Sequence, residues 1–296
     1  MKWLITGASG LLGNNLCKHL TSKGHIVVGL YKSHSVDIIN VKDIKMDLID
    51  PAGIRDIISE TAPDVIVYTA GLTNVDACEN NMELAKLLHT DVPRAMAVEA
   101  KIHRSQFVSI STDHLWDGKK AFITEDTPAN PINTYALTKH LGEKEVLEVN
   151  PKSLIIRTNF FGLGRPWRNS FSDWVIKELT SEKSIAVFTD SFFTPIGLTE
   201  LNQIIEELVL LKASGIYNVA GGERISKYKF AHHLANHLGL RSDLIKPSII
   251  LNAKLSAPRP PDMSLSVEKI ETLLGKKMPT LNECFETLAL EINTNQ

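Results

Sequence analysis

The stretch KWLITGASGLLG, residues 2–13, decides the fold. Its apolar start, Trp3-Leu4-Ile5, reads as a strand over residues 2–6, and Gly7, Gly10 and Gly13 follow at intervals of three. Residues 12–22 then place leucine at 12, 16 and 20, one face of a helix that Gly24 stops. Glycines between a strand and a helix allow a sharp turn and a close approach of backbone to ligand. The helix behind them offers unbonded N–H groups and the positive end of its dipole, which suits a pyrophosphate. In this strand–turn–helix context the spacing points to a dinucleotide held by Gly7, Ser9, Gly10, Leu11, Leu12 and Gly13.

The same rhythm continues outward. Strand-like runs at 25–31, 44–46, 65–68, 106–111 and 154–157 alternate with helical stretches at 51–61, 82–101 and 134–148. Asp50-Pro51 reads as an N-cap followed by proline at the first helical position. Strands that are apolar on both faces and separated by helices make a parallel sheet covered on both sides. Beyond residue 160 the pattern loosens. Residues 162–169, rich in Gly, Pro and Arg, read as a loop, followed by a helix at 171–179, a strand at 185–188, a helix at 200–211 and a strand at 216–219. A helix at 226–238, a proline-rich segment at 256–261 and two last helices complete the chain. The expected fold is α/β, a doubly wound parallel sheet of Rossmann type with a smaller mixed α/β lobe. Residues 1–160 and 185–222 are assigned to the dinucleotide-binding domain, and 161–184 and 223–296 to a substrate-binding lobe.

Bulk composition narrows the function classes. The chain has 296 residues, 43% of them hydrophobic, enough for a large core. Thirty-two basic side chains balance 34 acidic ones, with no block of like charge suited to a nucleic acid or a membrane surface. Cys17, Cys78 and Cys284 are scattered and read as reduced thiols, and no Cys/His cluster has zinc spacing. The short apolar run at the N-terminus is too brief for a signal-peptide core or a membrane span. A cytoplasmic protein without metal, nucleic-acid or membrane partners is expected, with a second copy of itself, as a homodimer, the protein partner considered.

Cofactor selectivity turns on the end of the second strand. An acid there would bond the ribose 2′-hydroxyl and repel a 2′-phosphate. The residues are instead Tyr31, Lys32, Ser33 and His34, which favour NADP(H) over NAD(H). Asp47 and Leu48, past the third strand, are placed for the adenine, and Ala70 and Gly71, past the fourth, bring small side chains to the cofactor's path.

A catalytic set follows in order along the chain. Tyr135 and Lys139 stand four residues apart on a helix, with Cβ atoms about 5–6 Å apart on one face. Of five tyrosines only Tyr135 has a lysine at that spacing. A free phenol, with a pKa near 10, is a poor proton donor at neutral pH; the nearby ammonium and a nicotinamide cation are expected to lower it. Thr112, at the end of the fifth strand, is placed to bond a substrate carbonyl oxygen.

These residues resemble the extended short-chain dehydrogenase/reductase family, and more narrowly dTDP-4-dehydrorhamnose reductase and its relatives. The likeness runs through LITGASGLLG (4–13), MDLID (46–50), PDVIVYTAGLTNVDACE (63–79), VSISTDHLWDG (108–118), PINTYALTKHLGE (131–143), LIIRTNFFG (154–162) and APRPPDMSLS (257–266). It implies Thr112, Tyr135 and Lys139 as the catalytic trio. It further implies hydride delivery from NAD(P)H to C4 of a nucleotide-activated 4-keto-6-deoxy sugar. Thr73, Asp113, His114, Phe160 and Arg259 would meet that substrate, Arg259 at its diphosphate. His114 stands where the family usually has tyrosine and Phe160 where it has tryptophan, so the sugar itself is left open. Two other readings share the fold: an NAD-dependent epimerase or dehydratase, and a non-catalytic nucleotide-binding subunit similar to the methionine adenosyltransferase β subunit. Elsewhere, His89 reads as a helix histidine bonded to backbone, and His232, His233 and His237 as a solvated helix face rather than metal ligands. Trp167, Trp174, Phe171 and Phe160 are candidate pocket aromatics.

Overall fold

The computed structural model of the chain describes residues 1–294. The first half contributes β1 (Lys2–Thr6), α1 (Leu11–Ser22), β2 (Ile26–Tyr31), β3 (Val41–Lys45), α2 (Pro51–Thr61), β4 (Val65–Tyr68), α3 (Val75–Asn80) and α4 (Met82–Lys86). After a π-helical turn (Leu87–Asp91) come α5 (Val92–His103), β5 (Gln106–Ile110), α6 (Thr134–Val149) and β6 (Leu154–Arg157). The second half adds β7 (Phe160–Phe161), α7 (Phe171–Thr180), β8 (Ile185–Phe188), β9 (Phe192–Phe193), β10 (Ile196–Gly197) and α8 (Leu198–Leu210). It ends with β11 (Gly215–Asn218), β12 (Ile225–Ser226), α9 (Lys227–His237), β13 (Ile245–Ser248), α10 (Glu268–Leu274) and α11 (Leu281–Thr294).

Seven strands form one parallel sheet in the order β11-β6-β5-β4-β1-β2-β3. Their alternate side chains feed two cores, as the two-residue period requires. Trp3, Ile5, Val67 and Val108 pack under α1 and α8, against Leu16, Leu20, Leu201 and Ile205. Leu4, Ile66 and Phe107 face the other way, against Ile54 and Ile58 of α2 and Met96 and Ala97 of α5. A third core lies outside the sheet, where Phe161, Phe193, Phe230 and Phe285 meet edge to face or tilted. No described helix is long and apolar enough to cross a membrane.

Three local features differ from the sequence reading. The helix expected over 82–101 is interrupted, because Pro93 lacks an N–H and cannot continue the ladder. The backbone widens into the π turn just before it. The short α3, capped by the Asn74 side chain on Ala77 N–H at 2.9 Å, carried too few residues to register as periodic. The strand at 185–188, assigned to the dinucleotide domain, pairs instead with β13, and Ile185 and Val187 sit in the phenylalanine core. Apolar alternation announces a strand but cannot name its partner sixty residues away.

The end of β6 is tied to α6 by a buried network. Arg157 donates to Glu143 through Nε (3.0 and 3.2 Å) and Nη2 (2.7 Å), and Ser111 Oγ donates to the same carboxylate at 2.5 Å. Burial alone would raise the Glu143 carboxyl, but bonds from His140, Arg157 and Ser111 and the guanidinium charge hold it well below its usual 4.5. Its stabilising contribution is therefore complete above that value and lost as pH falls below it. Replacing Arg157 with leucine strands a buried carboxylate, at a cost of about 3–5 kcal/mol. Urea unfolding of Arg157→Leu at pH 7 checks this: a loss below 1 kcal/mol, or one unchanged between pH 6 and pH 3, contradicts the account.

Candidate active site

A cleft of about 780 Å³ opens along the carboxyl ends of the sheet strands, roofed by the second lobe. At its floor Gly7 takes φ +62°, and a Cβ there would lie 2.9 Å from Ala70 Cα, so the turn demands glycine. Gly10 N–H donates to Gly7 O at 2.8 Å, which curls the loop onto itself. The N-terminus of α1 is capped by no side chain and carries no acid in its first turn. Its free N–H groups open into the cleft with Ser9, Gly10, Leu11, Leu12 and Gly13 in the wall. This donor set fits the pyrophosphate of a dinucleotide.

One end of the cleft is lined by Tyr31, Lys32, Ser33 and His34 from the end of β2 and by Asp47 and Leu48 beyond β3. Lys32 Nζ lies 2.8 Å from the Asp47 carboxylate, an exposed pair that holds Asp47 below its usual range mainly through that hydrogen bond. Ala70, Gly71 and Thr73 follow from β4.

The other end holds the Tyr/Lys helix. The Asn133 side chain accepts from Ala136 N–H at 2.8 Å, so α6 starts with Tyr135 in its first turn, facing the cleft. Lys139, one turn on, donates from Nζ to Ile110 O at 2.6 Å, at the end of β5. Thr112 is two residues further along that strand's path and also lines the cleft. The sequence thus brought Thr112, Tyr135 and Lys139 to one place. The expected lowering of the phenol is not what the protein's own groups produce. Burial pushes Tyr135 up to about 12, against the opposing effect of the Thr112 hydrogen bond. Lys139 is pushed down to about 8, again by burial, and Glu143 opposes the shift.

Two imidazoles flank the phenol. His89, from the π turn, meets Tyr135 edge to face at 5.5 Å, and His114 does the same at 5.6 Å. Leu72 N–H donates to His89 Nε2 at 3.1 Å, so the ring proton sits on Nδ1 and goes to Thr138 Oγ1 at 2.8 Å. His89 is therefore bonded to backbone as expected, yet it also forms part of the site wall, which the sequence did not disclose. Burial first, then the Lys139 charge, pushes it down to about 3. Asp113 is buried and pushed up to about 6 by that burial, although Asn159 Nδ2 donates to it at 2.7 Å.

Phe160 lines the cleft with Phe171 and Trp167, whereas Trp174 packs against the phenylalanine core. Arg259 does not line the cleft. Its guanidinium donates to Asp76 Oδ2 at 2.8 Å and to Ala257 O at 2.7 Å, binding the proline-rich segment to α3. Asp76, 183 residues away, was no visible partner for it. Asn159 and Arg168, neither of them singled out as a site residue by the sequence, join the wall. Among the described residues no three His, Cys, Asp or Glu side chains gather as a metal site would need.

Comparison with known proteins adds three likenesses and a family match. The family described as RmlD substrate binding domain matches residues 1–293. A probable low-salt glycan biosynthesis reductase of Haloferax volcanii is 30% identical over 94% of each chain. A solved structure described as a hypothetical dTDP-4-dehydrorhamnose reductase of Sulfolobus tokodaii is 35% identical. It superposes with a TM-score of 0.83 over 95% of this chain and 98% of that one. dTDP-4-dehydrorhamnose reductase of Bacillus anthracis, solved with NADP, superposes at 0.87 over 98% and 99% of the two chains, at 24% identity, and so speaks for the fold.

His114 supplies a check on this geometry. Burial first, then the charges of Lys227 and Arg259, pushes its imidazole down to about 3. Its ring should stay neutral from pH 8 to pH 5 in a nitrogen-15 NMR titration assigned with His114→Gln. A resonance titrating near pH 6.5 would place the ring in solvent instead.

Proposed function

Because the chain belongs to the RmlD substrate binding domain family, we propose that it is an NAD(P)H-dependent reductase acting on the 4-keto group of a nucleotide-activated deoxy sugar. One observation carries the reading: the uncapped helix N-terminus above Gly7 and the Thr112, Tyr135, Lys139 set share a single continuous cleft. A dinucleotide needs the first and a carbonyl reduction needs the second.

When bound, the nicotinamide supplies a hydride to the carbonyl carbon. The chain's own residues supply the rest. Thr112 Oγ donates to the carbonyl oxygen and supports the charge that gathers there. Tyr135, whose buried phenol keeps its proton at neutral pH, gives that proton to the new alkoxide, completing the hydroxyl. Lys139, anchored on Ile110 O, keeps a cationic donor one turn from the phenolate that remains and favours it. His89 and His114 each meet the phenol ring at right angles and limit the ways it can turn. Phe160, Asp113, His114 and Thr73, all in the cleft wall, meet the sugar. The basic and hydroxyl groups of Lys32, Ser33 and His34 favour a 2′-phosphate, hence NADP(H).

Two measurements test the assignment. With NADPH and a panel of nucleotide-4-keto sugars, Tyr135→Phe should lower kcat by about 100- to 10,000-fold. Cofactor affinity should stay within about twofold. A variant as active as the parent removes the phenol from the reaction. Lys32→Ala should weaken NADPH roughly 2- to 5-fold, a modest effect because the side chain is 68% exposed. NADH should be unchanged, and equal effects on both cofactors overturn the preference.

A further inference from the structure

Residues 162–169 leave β7 and cross the mouth of the cleft before α7 begins. The tip is a tight hairpin in which Arg165 N–H donates to Arg168 O at 3.0 Å and Arg168 N–H to Arg165 O at 2.7 Å. Its base is clamped to α7, where Gly164 N–H meets both Asp173 carboxylate oxygens at 3.1 and 2.9 Å. A Cβ on Gly164 would fall 2.2 Å from Arg168 O, so the hairpin closes this tightly only with glycine at that position. The tip reaches the first lobe through Trp167. Its Nε1–H donates to Ser9 O at 3.2 Å, and its ring stacks on His34 at 4.3 Å and 6°.

This anchoring holds Arg168 at the cleft, where it lines the wall. Its charge reaches Tyr135 and favours the phenolate. Two lysines also line the cleft, and both are engaged: Lys32 with Asp47, and Lys139 with Ile110 O. Arg259 is engaged outside it with Asp76. Among the described residues the Arg168 guanidinium has neither an acidic partner nor a hydrogen-bond acceptor. A planar fork of N–H donors matches phosphate oxygens in geometry and charge.

We propose that Arg168 binds a diphosphate in the cleft. Two diphosphates could meet it: the pyrophosphate of the dinucleotide lying on the glycine loop, and the diphosphate of the nucleotide sugar. The second rests on the reductase reading; the first needs only a dinucleotide.

The test is calorimetric binding of NADPH and, separately, of dTDP to the full chain, to Arg168→Ala and to Arg168→Lys. Arg168 is exposed, so the fold survives the change, and an unchanged thermal transition verifies it. Removing a charge-assisted contact should weaken one ligand at least about tenfold. The other should stay within twofold, and lysine should restore only part of the loss. A selective loss of dTDP assigns the substrate's diphosphate, and a selective loss of NADPH assigns the cofactor's. Both affinities within twofold of wild type, or a wild-type chain that binds neither ligand, overturns the proposal. Failure of every keto sugar to turn over, with either affinity still dependent on Arg168, removes the reductase reading and leaves this one standing.

Discussion

The buried carboxylate of Glu143 is the constraint on which the site's geometry depends. It accepts at once from Arg157 at the end of β6 and from Ser111 beyond the end of β5. Glu143 is one turn past Lys139 and two past Tyr135 on the same helix. Fixing it against two strand ends therefore fixes the azimuth of the helix, and with it the direction of both reactive side chains. Lys139 adds a third tie, to Ile110 O. A buried ion pair is weak evidence for stability, but its several directed bonds specify one orientation of α6, which a purely apolar interface would not.

The electrostatics of the cleft follow from burial more than from pairing. Phenol, ammonium and both imidazoles are each displaced toward their neutral forms. The neutral phenol has a proton to give, and the neutral imidazoles add no positive charge beside it. The surrounding charges of Lys227 and Arg259 act at longer range and add to the same tendency at His114.

What the sequence disclosed was local. A glycine turn, a strand before it and a helix after it are read within a dozen residues, because the backbone itself demands them. Tyr135 and Lys139 were legible for the same reason, a spacing of four on one helix. What stayed hidden depended on distant partners. The pairing of Arg259 with Asp76 gave no local sign. The strand at 185–188 was visible, but its partner was not. The π turn that brings His89 to the phenol arises from one proline in a stretch otherwise periodic, and Arg168 belongs to a loop whose geometry has no period at all. The upward shift of Tyr135 was missed because charge proximity was weighed without the cost of desolvation.

The path of the chain between its two lobes has a consequence for how the molecule can be cut. After β6 the backbone enters the phenylalanine core, returns with α8 and β11 to complete the sheet, and leaves again. A fragment ending near residue 160 would carry the whole glycine turn yet lack the helix that covers Trp3, Ile5 and Val108. It would also lack the outermost strand beside β6. Such a piece exposes a broad apolar face and an open strand edge, the two conditions for self-association. The nucleotide half is thus not a detachable module, and the protein should unfold as one cooperative body.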